Sequence, residues 1–223
     1  PFIGMGYENK NKIDFHIYWG GKSKNVFKVF EPHIKRLKDK KLINEFKSVF
    51  SEENKNNSFI IGSDTRESSD EIINLLAEGL QSVDCKIDTA GIVPTPEIAH
   101  FTKEKNYTIG IMVSASHNLY YDNGIKIFNT LGHKISIDKE NLIEDYIETL
   151  KDNEFKNNNT ILNNVSIEIK NEYIKFCLKQ SKKFSTNNIN VTLDLANGSN
   201  YQIAEKVFDC LLYTSPSPRD LMR

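Results

Sequence analysis

The sequence has few of the residues that mark several classes of protein. Its three cysteines, Cys85, Cys177 and Cys210, show no metal-ligand spacing and no even-numbered disulfide framework. No apolar run is long enough to cross a bilayer, and we find no signal-peptide pattern. The 29 basic residues balance 30 acidic ones, so the composition offers no face for nucleic acid and no patch for a membrane surface. These absences favour a reducing, cytoplasmic setting.

The two ends differ in composition from the middle. The chain begins at Pro1 rather than at a methionine, which indicates a fragment or a processed form. Arginine and proline are scarce before residue 210, yet they cluster in the last eight positions. Residues 210–223 are what a transposon mosaic end and sequencing adapter would encode, so we expect them to be an artefact and the codon of Asp209 to be uncertain in its third base. A natural Ser/Pro-rich tail is the alternative.

Between these ends, short apolar runs alternate with helix-period patterns, which predicts an α/β fold. The predicted strands are Phe59–Gly62, Lys86–Ala90, Thr108–Val113 and Gly124–Phe128. Helices are predicted over residues 42–50, from Ser68, from Asp138 and around Tyr173. The segment Pro94-Thr95-Pro96 predicts one more helix start, with Thr95 as the N-cap and Pro96 at the first helical position.

The first 40 residues are the hardest to assign. Residues 13–19 indicate a strand, and the basic segment 25–41 indicates a helix interrupted near Pro32. The Asn-rich stretch 151–164 predicts a linker, followed later by a strand over 189–195 and a helix from Tyr201.

We place the domain boundary in that linker. The first domain is predicted over residues 1–155, and the start of a second domain over residues 156–209. One strand and one or two helices do not close a core of their own, so the second domain is expected to be truncated.

The most informative segment follows the apolar run 109–113, which stops at Ser114-Ala115-Ser116-His117-Asn118. An Asp-Asn-Gly turn and a second apolar run containing Lys126 come next. A strand that ends in a polar loop of small residues is where an α/β protein commonly places its chemistry. Taken alone, such a loop is more often a turn or a helix cap than the site of a nucleophile.

This loop resembles the phosphoserine loop of the α-D-phosphohexomutases, and its Tyr-Asp-Asn-Gly-Ile-Lys continuation looks most like the phosphoglucosamine mutase branch. Further similar motifs follow one another in the family's order: Gly62–Arg66, Gly91–Pro96, Tyr173–Cys177 and Asp194–Gly198. The resemblance covers roughly residues 42–209. It departs from the family at Leu119, where proline is usual, at Ser63, where a basic residue is usual, and over residues 1–40, which lack the family's opening motif.

The resemblance implies a phosphohexomutase-type first domain, a mixed sheet between helices, followed by the start of a similar domain. It implies that Ser116 carries a phosphoryl group, that Lys126 and His117 neutralise its charge, and that Lys126 lies near the transferred proton. Arg66 would orient the loop or the phosphate. Ser114 and Asn118 would support the loop.

The family's Mg²⁺ lies between the serine phosphate and three aspartates of an Asp-x-Asp-x-Asp-Arg motif. That motif does not occur in this sequence, so Ser116, through its phosphate, is the one metal ligand to carry over. We therefore expect the chain by itself neither to turn over substrate nor to bind Mg²⁺ tightly.

The function implied is that of an isomerase of carbohydrate metabolism with a phosphosugar substrate. It would interconvert glucosamine 6-phosphate and glucosamine 1-phosphate through a phosphoserine enzyme and a bisphosphorylated sugar. Two alternatives are a mutase for mannose or glucose phosphates and a non-catalytic binding domain. A serine hydrolase is disfavoured, because no Gly-x-Ser-x-Gly elbow surrounds Ser116.

Overall fold

The computed structural model describes residues 2–7, 12–19, 22–30, 57–81, 85–116, 118–120, 122–149, 162–181 and 192–212. The strands are β1 (Phe2–Tyr7), β2 (Lys12–Trp19), β3 (Lys22–Phe30), β4 (Ser58–Ser63), β5 (Lys86–Ile92), β6 (Ile109–Val113), β7 (Asp122–Phe128) and β8 (Asn163–Asn164). The helices are α1 (Ser69–Gln81), α2 (Thr95–Glu104), α3 (Ile137–Thr149), α4 (Ser166–Ser181) and α5 (Ala204–Leu212). None of these described helices is long and apolar enough to cross a membrane.

The eight strands form one mixed sheet in the order β3-β2-β1-β7-β6-β4-β5-β8. Strand β4 lies at the centre of its parallel half, with β5 on one side and β6 on the other. Strand β7 runs antiparallel to β6 and joins this half to the antiparallel strands β1 to β3. The predicted α/β class with a mixed sheet is therefore confirmed, and the four strands predicted between residues 59 and 128 all form.

Helices cover both faces of the sheet because successive strand residues point to opposite sides. Phe59 and Ile61 lie in the apolar cluster under α1 and α3, whereas Ile60 between them lies in the cluster under α2 and α4. All three side chains are at most 1% exposed. Each such side chain contributes about 1.5–3 kcal/mol of hydrophobic stabilisation on burial.

Helix α2 lies unusually close to the sheet because two strand positions beneath it are glycines. A Cβ atom at Gly62 would lie 2.6 Å from Val93 Cγ2 and 2.7 Å from Ile98 Cδ1. At Gly110, in the neighbouring strand, a Cβ would overlap the Thr102 hydroxyl. These two glycines fix the height of α2 over β4 and β6, and hence the position of its first turn.

The last two residues of the predicted linker, 163–164, form a strand, so the linker prediction is wrong there, and the segment that follows also packs on the same sheet. Strand β8 adds in parallel to the edge of β5. Asp88 accepts hydrogen bonds from the buried Tyr107 hydroxyl at 2.6 Å and from Asn163 Nδ2 at 2.7 Å. Ile169 and Tyr173 of α4 share an apolar cluster with Phe101 of α2. The division into two domains near residue 155 stays a prediction, since residues 150–161 lie outside the described part of the chain.

Three further local predictions are wrong. Residues 25–30 belong to β3 rather than to a helix, in keeping with the strand preference of Val26, Phe27, Val29 and Phe30. Residues 192–195 have no regular structure, because no described strand lies beside them to pair with. Pro94, not Thr95, is the N-cap of α2, and Thr95 is its first helical residue. The helix predicted over residues 42–50 lies outside the described residues.

Candidate active site

Three loops meet where the parallel strands β4, β5 and β6 end. The Asp64 amide donates to the Val113 carbonyl at 3.0 Å, which joins the end of β4 to the end of β6. The Val93 amide donates to the Ser63 carbonyl at 3.0 Å, which joins the end of β5 to β4. The polar residues following all three strands are therefore brought to one edge of the sheet, the usual place for a site in an open α/β sheet.

The loop after β6, residues 114–120, is called the serine loop here. Ser114 is buried, and its Oγ accepts a hydrogen bond from the Ser116 amide at 3.0 Å. The Asn118 amide donates to the Ala115 carbonyl at 3.2 Å. Ser116 itself is exposed and has a φ of 56°, a left-handed backbone conformation that few non-glycine residues adopt. The loop thus presents the Ser116 side chain to solvent on a strained backbone.

Arg66, in the loop after β4, donates hydrogen bonds to three carbonyl oxygens of the serine loop. Its Nη2 donates to the carbonyl oxygens of Ser116 and Asn118, both at 3.1 Å, and its Nη1 donates to the Leu119 carbonyl. Its Nε donates to Asp64 Oδ2 at 3.0 Å in a largely buried ion pair. A planar guanidinium with five donors suits this task, since one side chain satisfies three loop carbonyls.

Lys126 brings a buried cation to the serine hydroxyl. It lies on β7 opposite Met112 of β6, and it is 8% exposed. Its Nζ donates to Ser116 Oγ at 2.7 Å and to Thr95 Oγ1 at 3.4 Å.

Burial lowers the pKa of Lys126 below its ordinary value. The Asp64 carboxylate opposes that shift, whereas the charges of Lys134 and Arg66 add to it. An ammonium that loses its proton more readily than usual, in contact with a serine hydroxyl, is equipped to move a proton at that oxygen.

Five of the six residues predicted for the site come together in the structure: Ser114, Ser116, Asn118, Arg66 and Lys126. The sixth, His117, lies outside the described residues. The Asn118 side chain donates to Asp122 Oδ2 at 3.1 Å, so it ties the serine loop to the start of β7.

Sequence reasoning missed two members of the site, Asp64 as the partner of Arg66 and Thr95 as a partner of Lys126. The signal for Asp64 was its place in the Asp-Thr-Arg motif. For Thr95, the segment Pro94-Thr95-Pro96 had instead predicted that its side chain caps the helix.

The described residues do not fit a protein-built Mg²⁺ cage. No three of their His, Cys, Asp or Glu side chains lie close enough together to hold a metal ion. The two carboxylates nearest the serine loop are already engaged, Asp64 by Arg66 and Asp122 by Asn118. Metal binding through the phosphate of Ser116 therefore stays a prediction.

Sequence comparison shows which known proteins this chain resembles. Residues 25–154 match the family described as phosphoglucomutase/phosphomannomutase, alpha/beta/alpha domain I. The match includes residues 25–40, where we recognised no family motif. A phosphoglucosamine mutase from Fusobacterium nucleatum subsp. nucleatum is 41% identical over 160 residues, which cover 67% of this chain and 33% of the relative. One from Koribacter versatilis is 38% identical over 153 residues, with the same two coverages.

A solved structure supports the fold. A phosphoglucomutase/phosphomannomutase family protein from Burkholderia thailandensis superposes with a TM-score of 0.57 at 19% identity, covering 90% of this chain and 41% of that one. At this identity the likeness concerns the fold alone. The chain spans about a third of the length of the curated relatives that it matches.

Proposed function

Because this chain belongs to the phosphoglucomutase/phosphomannomutase family, we propose that it supplies the phosphoryl-carrying part of a phosphosugar mutase, with Ser116 as the carrier. One observation carries the proposal: the exposed Ser116 hydroxyl lies 2.7 Å from the ammonium of a buried lysine, Lys126. A serine without such a partner is a weak nucleophile, and an adjacent group able to accept its proton activates it.

The proposed reaction has two steps, each of which transfers one phosphoryl group. Ser116 Oγ attacks a phosphoryl group of a sugar bisphosphate, the Oγ–P bond forms, and the bond from phosphorus to the sugar oxygen breaks. Lys126, when neutral, takes the hydroxyl proton, and the proton ends on the sugar oxygen that leaves. In the other step the phosphoserine passes its phosphoryl group to the free hydroxyl of a sugar monophosphate, the Oγ–P bond breaks, and the proton of that hydroxyl passes through Lys126 to Oγ, which gives the bisphosphate. When Ser116 then removes the other phosphoryl group of that bisphosphate, the serine is phosphorylated again and the monophosphate has been isomerised.

The surroundings of Ser116 suit a phosphoserine. A phosphate ester adds roughly −1.5 to −2 charges at neutral pH. Lys126 donates a hydrogen bond to the serine oxygen, and Arg66 donates to the carbonyls of Ser116 and Asn118. Because its N–H groups donate to those carbonyl oxygens, Arg66 also reduces the electrostatic repulsion between the carbonyls and the phosphate. His117, whose role we infer only from the motif, would add a further cationic donor.

We propose a glucosamine phosphate as the substrate, because the relatives with 38–41% identity are phosphoglucosamine mutases. Mannose and glucose phosphates are the competing substrates. Mg²⁺ bound at the serine phosphate, a cytoplasmic location and inactivity of the isolated chain in turnover belong to the same proposal. They rest on the sequence motifs and on the chain's spanning only about a third of those relatives.

The test is a single phosphorylation event rather than turnover. We expect that the purified chain, incubated with glucosamine 1,6-bisphosphate and Mg²⁺, gains one phosphoryl group, which peptide mass spectrometry localises to Ser116. Ser116→Ala is expected to gain none. Ser136→Ala, which removes an exposed serine outside the serine loop, is the matched control and should behave like the unmodified chain.

Modification at other serines, or none at all, would contradict the phosphocarrier role and favour a non-catalytic binding domain. Glucose and mannose 1,6-bisphosphates, used in parallel, rank the three sugars. A coupled assay for glucosamine 1-phosphate should detect no turnover by this chain, and sustained turnover would overturn the prediction of inactivity.

A further inference from the structure

The first turn of α2 contributes a hydroxyl group to the site. Thr95 is the first residue of that helix, and its Oγ1 accepts a hydrogen bond from Lys126 Nζ at 3.4 Å. The same ammonium donates to Ser116 Oγ at 2.7 Å. A chain of contacts therefore runs from the helix, through the lysine, to the serine proposed as the phosphoryl carrier.

The Thr95 hydroxyl is available for this contact because it does not cap its own helix. Pro94 occupies the N-cap position, and no side chain caps the helix there. The Glu97 amide donates to the Pro94 carbonyl at 2.9 Å, so the first turn closes through the backbone alone. In the N-cap position a threonine hydroxyl would instead accept a hydrogen bond from an amide of the first turn.

The position of Thr95 is fixed by packing. Val93, two residues earlier, is 1% exposed and hydrogen-bonded to Ser63 through its amide. Ile98, three residues later, is 0% exposed and rests on Gly62. Thr95 lies between these two anchors, so its Oγ1 is held on a rigid element, as a precise site requires.

A lysine ammonium is a compact charge on a flexible stem with three donors that rotate together. An acceptor on a fixed helix, in addition to Ser116, restricts that rotation. We propose that Thr95 is a positioning residue that orients the Lys126 ammonium toward Ser116. This inference rests on the proposed function of Ser116 for its chemical consequence, but not for the contact itself.

The test compares three variants of the full 223-residue chain. Thr95→Val keeps the shape and removes the hydroxyl, whereas Thr95→Ser keeps the hydroxyl. Thr65→Val is the matched control, because the Thr65 hydroxyl, in the adjacent loop, donates to the Asn197 carbonyl instead. Thermal unfolding of all four proteins establishes that each one folds.

The first readout is the ammonium signal of Lys126 in the ¹⁵N-lysine spectrum, assigned by its loss in Lys126→Met. We expect the signal to be protected from exchange in the unmodified chain, in Thr95→Ser and in Thr65→Val, and to be lost in Thr95→Val. A purely structural role for Thr95 would not produce this pattern. Unchanged protection in Thr95→Val would overturn the proposal.

The second readout is the rate of Ser116 phosphorylation by glucosamine 1,6-bisphosphate. Thr95→Val is expected to be about fivefold to tenfold slower, the loss typical of one ordinary hydrogen bond, and Thr95→Ser is expected to restore the rate. If no protein is phosphorylated while the ammonium signal still depends on the hydroxyl, the phosphocarrier role fails and the positioning role stands. Equal rates in all four proteins would overturn the positioning role alone.

Discussion

Two buried ionisable side chains, Lys126 at the site and Glu97 under α4, lie in differently built surroundings. Lys126 has hydroxyl acceptors on two separate elements, Ser116 and Thr95. Glu97 is 0% exposed, and neither of its carboxylate oxygens has a hydrogen-bond partner among the described residues. Burial raises the pKa of Glu97 to about 7, with the charge of Lys170 opposing the rise.

We call the Lys126 ammonium a positioned charge, because it has directed hydrogen-bond partners, and the Glu97 carboxyl an enclosed group, because it is buried without them among the described residues. A buried group with directed partners is available for chemistry, whereas a buried carboxyl without them is most stable when protonated and neutral. Both regions depend on one helix, since Thr95 and Glu97 belong to the first turn of α2. The following predictions test this contrast, from the largest expected effect to the smallest.

Removing the positioned charge, the Lys126 ammonium, should greatly slow the phosphorylation of Ser116. Lys126→Met is expected to slow Ser116 phosphorylation about 10²–10⁴-fold, the range typical of losing a proton-transfer group. Quantitative peptide mass spectrometry after timed incubation with the sugar bisphosphate measures the rate. Lys105→Met is the control, because Lys105 lies outside the site and pairs with Glu168 at 2.9 Å and with Glu172 at 2.8 Å. It should lose stability and keep its phosphorylation rate, and a comparable loss of rate would contradict a specific role for Lys126.

Neutralising the enclosed carboxyl should remove a dependence of stability on pH. Because the folded-state pKa of Glu97 is about 7 and its unfolded value is 4.5, its contribution to stability is complete below pH 4.5. That contribution is lost as the pH rises through 7. Glu97→Gln is therefore expected to be more stable than the unmodified chain above pH 7, by about 3 kcal/mol at most. Urea unfolding at pH 5 and pH 8 measures the difference.

His100, on the same helix, acts in the opposite direction. Burial lowers its pKa, so its contribution is present above pH 6.5 and is lost as the pH falls through the folded-state value. Glu97→Gln should retain this second dependence. If Glu97→Gln lost as much stability between pH 5 and pH 8 as the unmodified chain does, Glu97 would not be the group responsible.

Raising α2 off the sheet should disturb both regions together. Gly110→Ala places a methyl group against the Thr102 hydroxyl and is expected to cost about 1–3 kcal/mol of stability. In a Thr102→Ala background the same change should cost less, because the side chain in its way has been shortened. Urea unfolding of the four proteins of this cycle gives the coupling energy. Additive costs would show that the contact does not limit the approach of α2.

An exposed ion pair between α2 and α4 should matter least. Lys105 contacts Glu168 at 2.9 Å and Glu172 at 2.8 Å, and the carboxylates raise its pKa. All three side chains are at least 33% exposed, so Lys105→Met is expected to cost about 0.2–1 kcal/mol, and less at high salt. Unfolding in low and high salt measures this, and a larger cost that salt does not change would contradict the surface character of the pair.

The parallel half of the sheet and the serine loop were predictable from sequence because local signals there agree with the tertiary structure. The apolar run 109–113 is short and continuous, as expected for a strand covered on both faces, and it stops where the polar loop begins. Ser116, Lys126 and Arg66 could be selected because each lies in a recognisable motif. The Asp-Asn-Gly turn predicted that Lys126 returns to Ser116, 10 residues away, whereas the contact of Arg66 with Ser116, across 50 residues, could only be anticipated from the resemblance.

The parts that sequence reasoning missed depend on contacts between distant segments. Whether Thr95 caps its helix or faces Lys126 depends on β7, 31 residues away in the chain. The burial of Glu97 depends on the packing of α2 on the sheet and of α4 against it, and no local pattern signals that packing. Residues 25–30 have a composition suited to a strand, but their charge suggested a helix, and pairing with β2 decided the outcome.

The order of residues along the chain has a consequence for biosynthesis. Every described side chain of the site, from Asp64 to Lys126, precedes residue 128, whereas the partners that extend the sheet and cover α2 begin at residue 162. Chains are synthesised from the N-terminus at about 5–20 residues per second, so the serine loop is complete outside the ribosome some seconds before α4 emerges. During that interval the α2 face that later buries Tyr173 is open to chaperones, while every described residue of the site has already been synthesised.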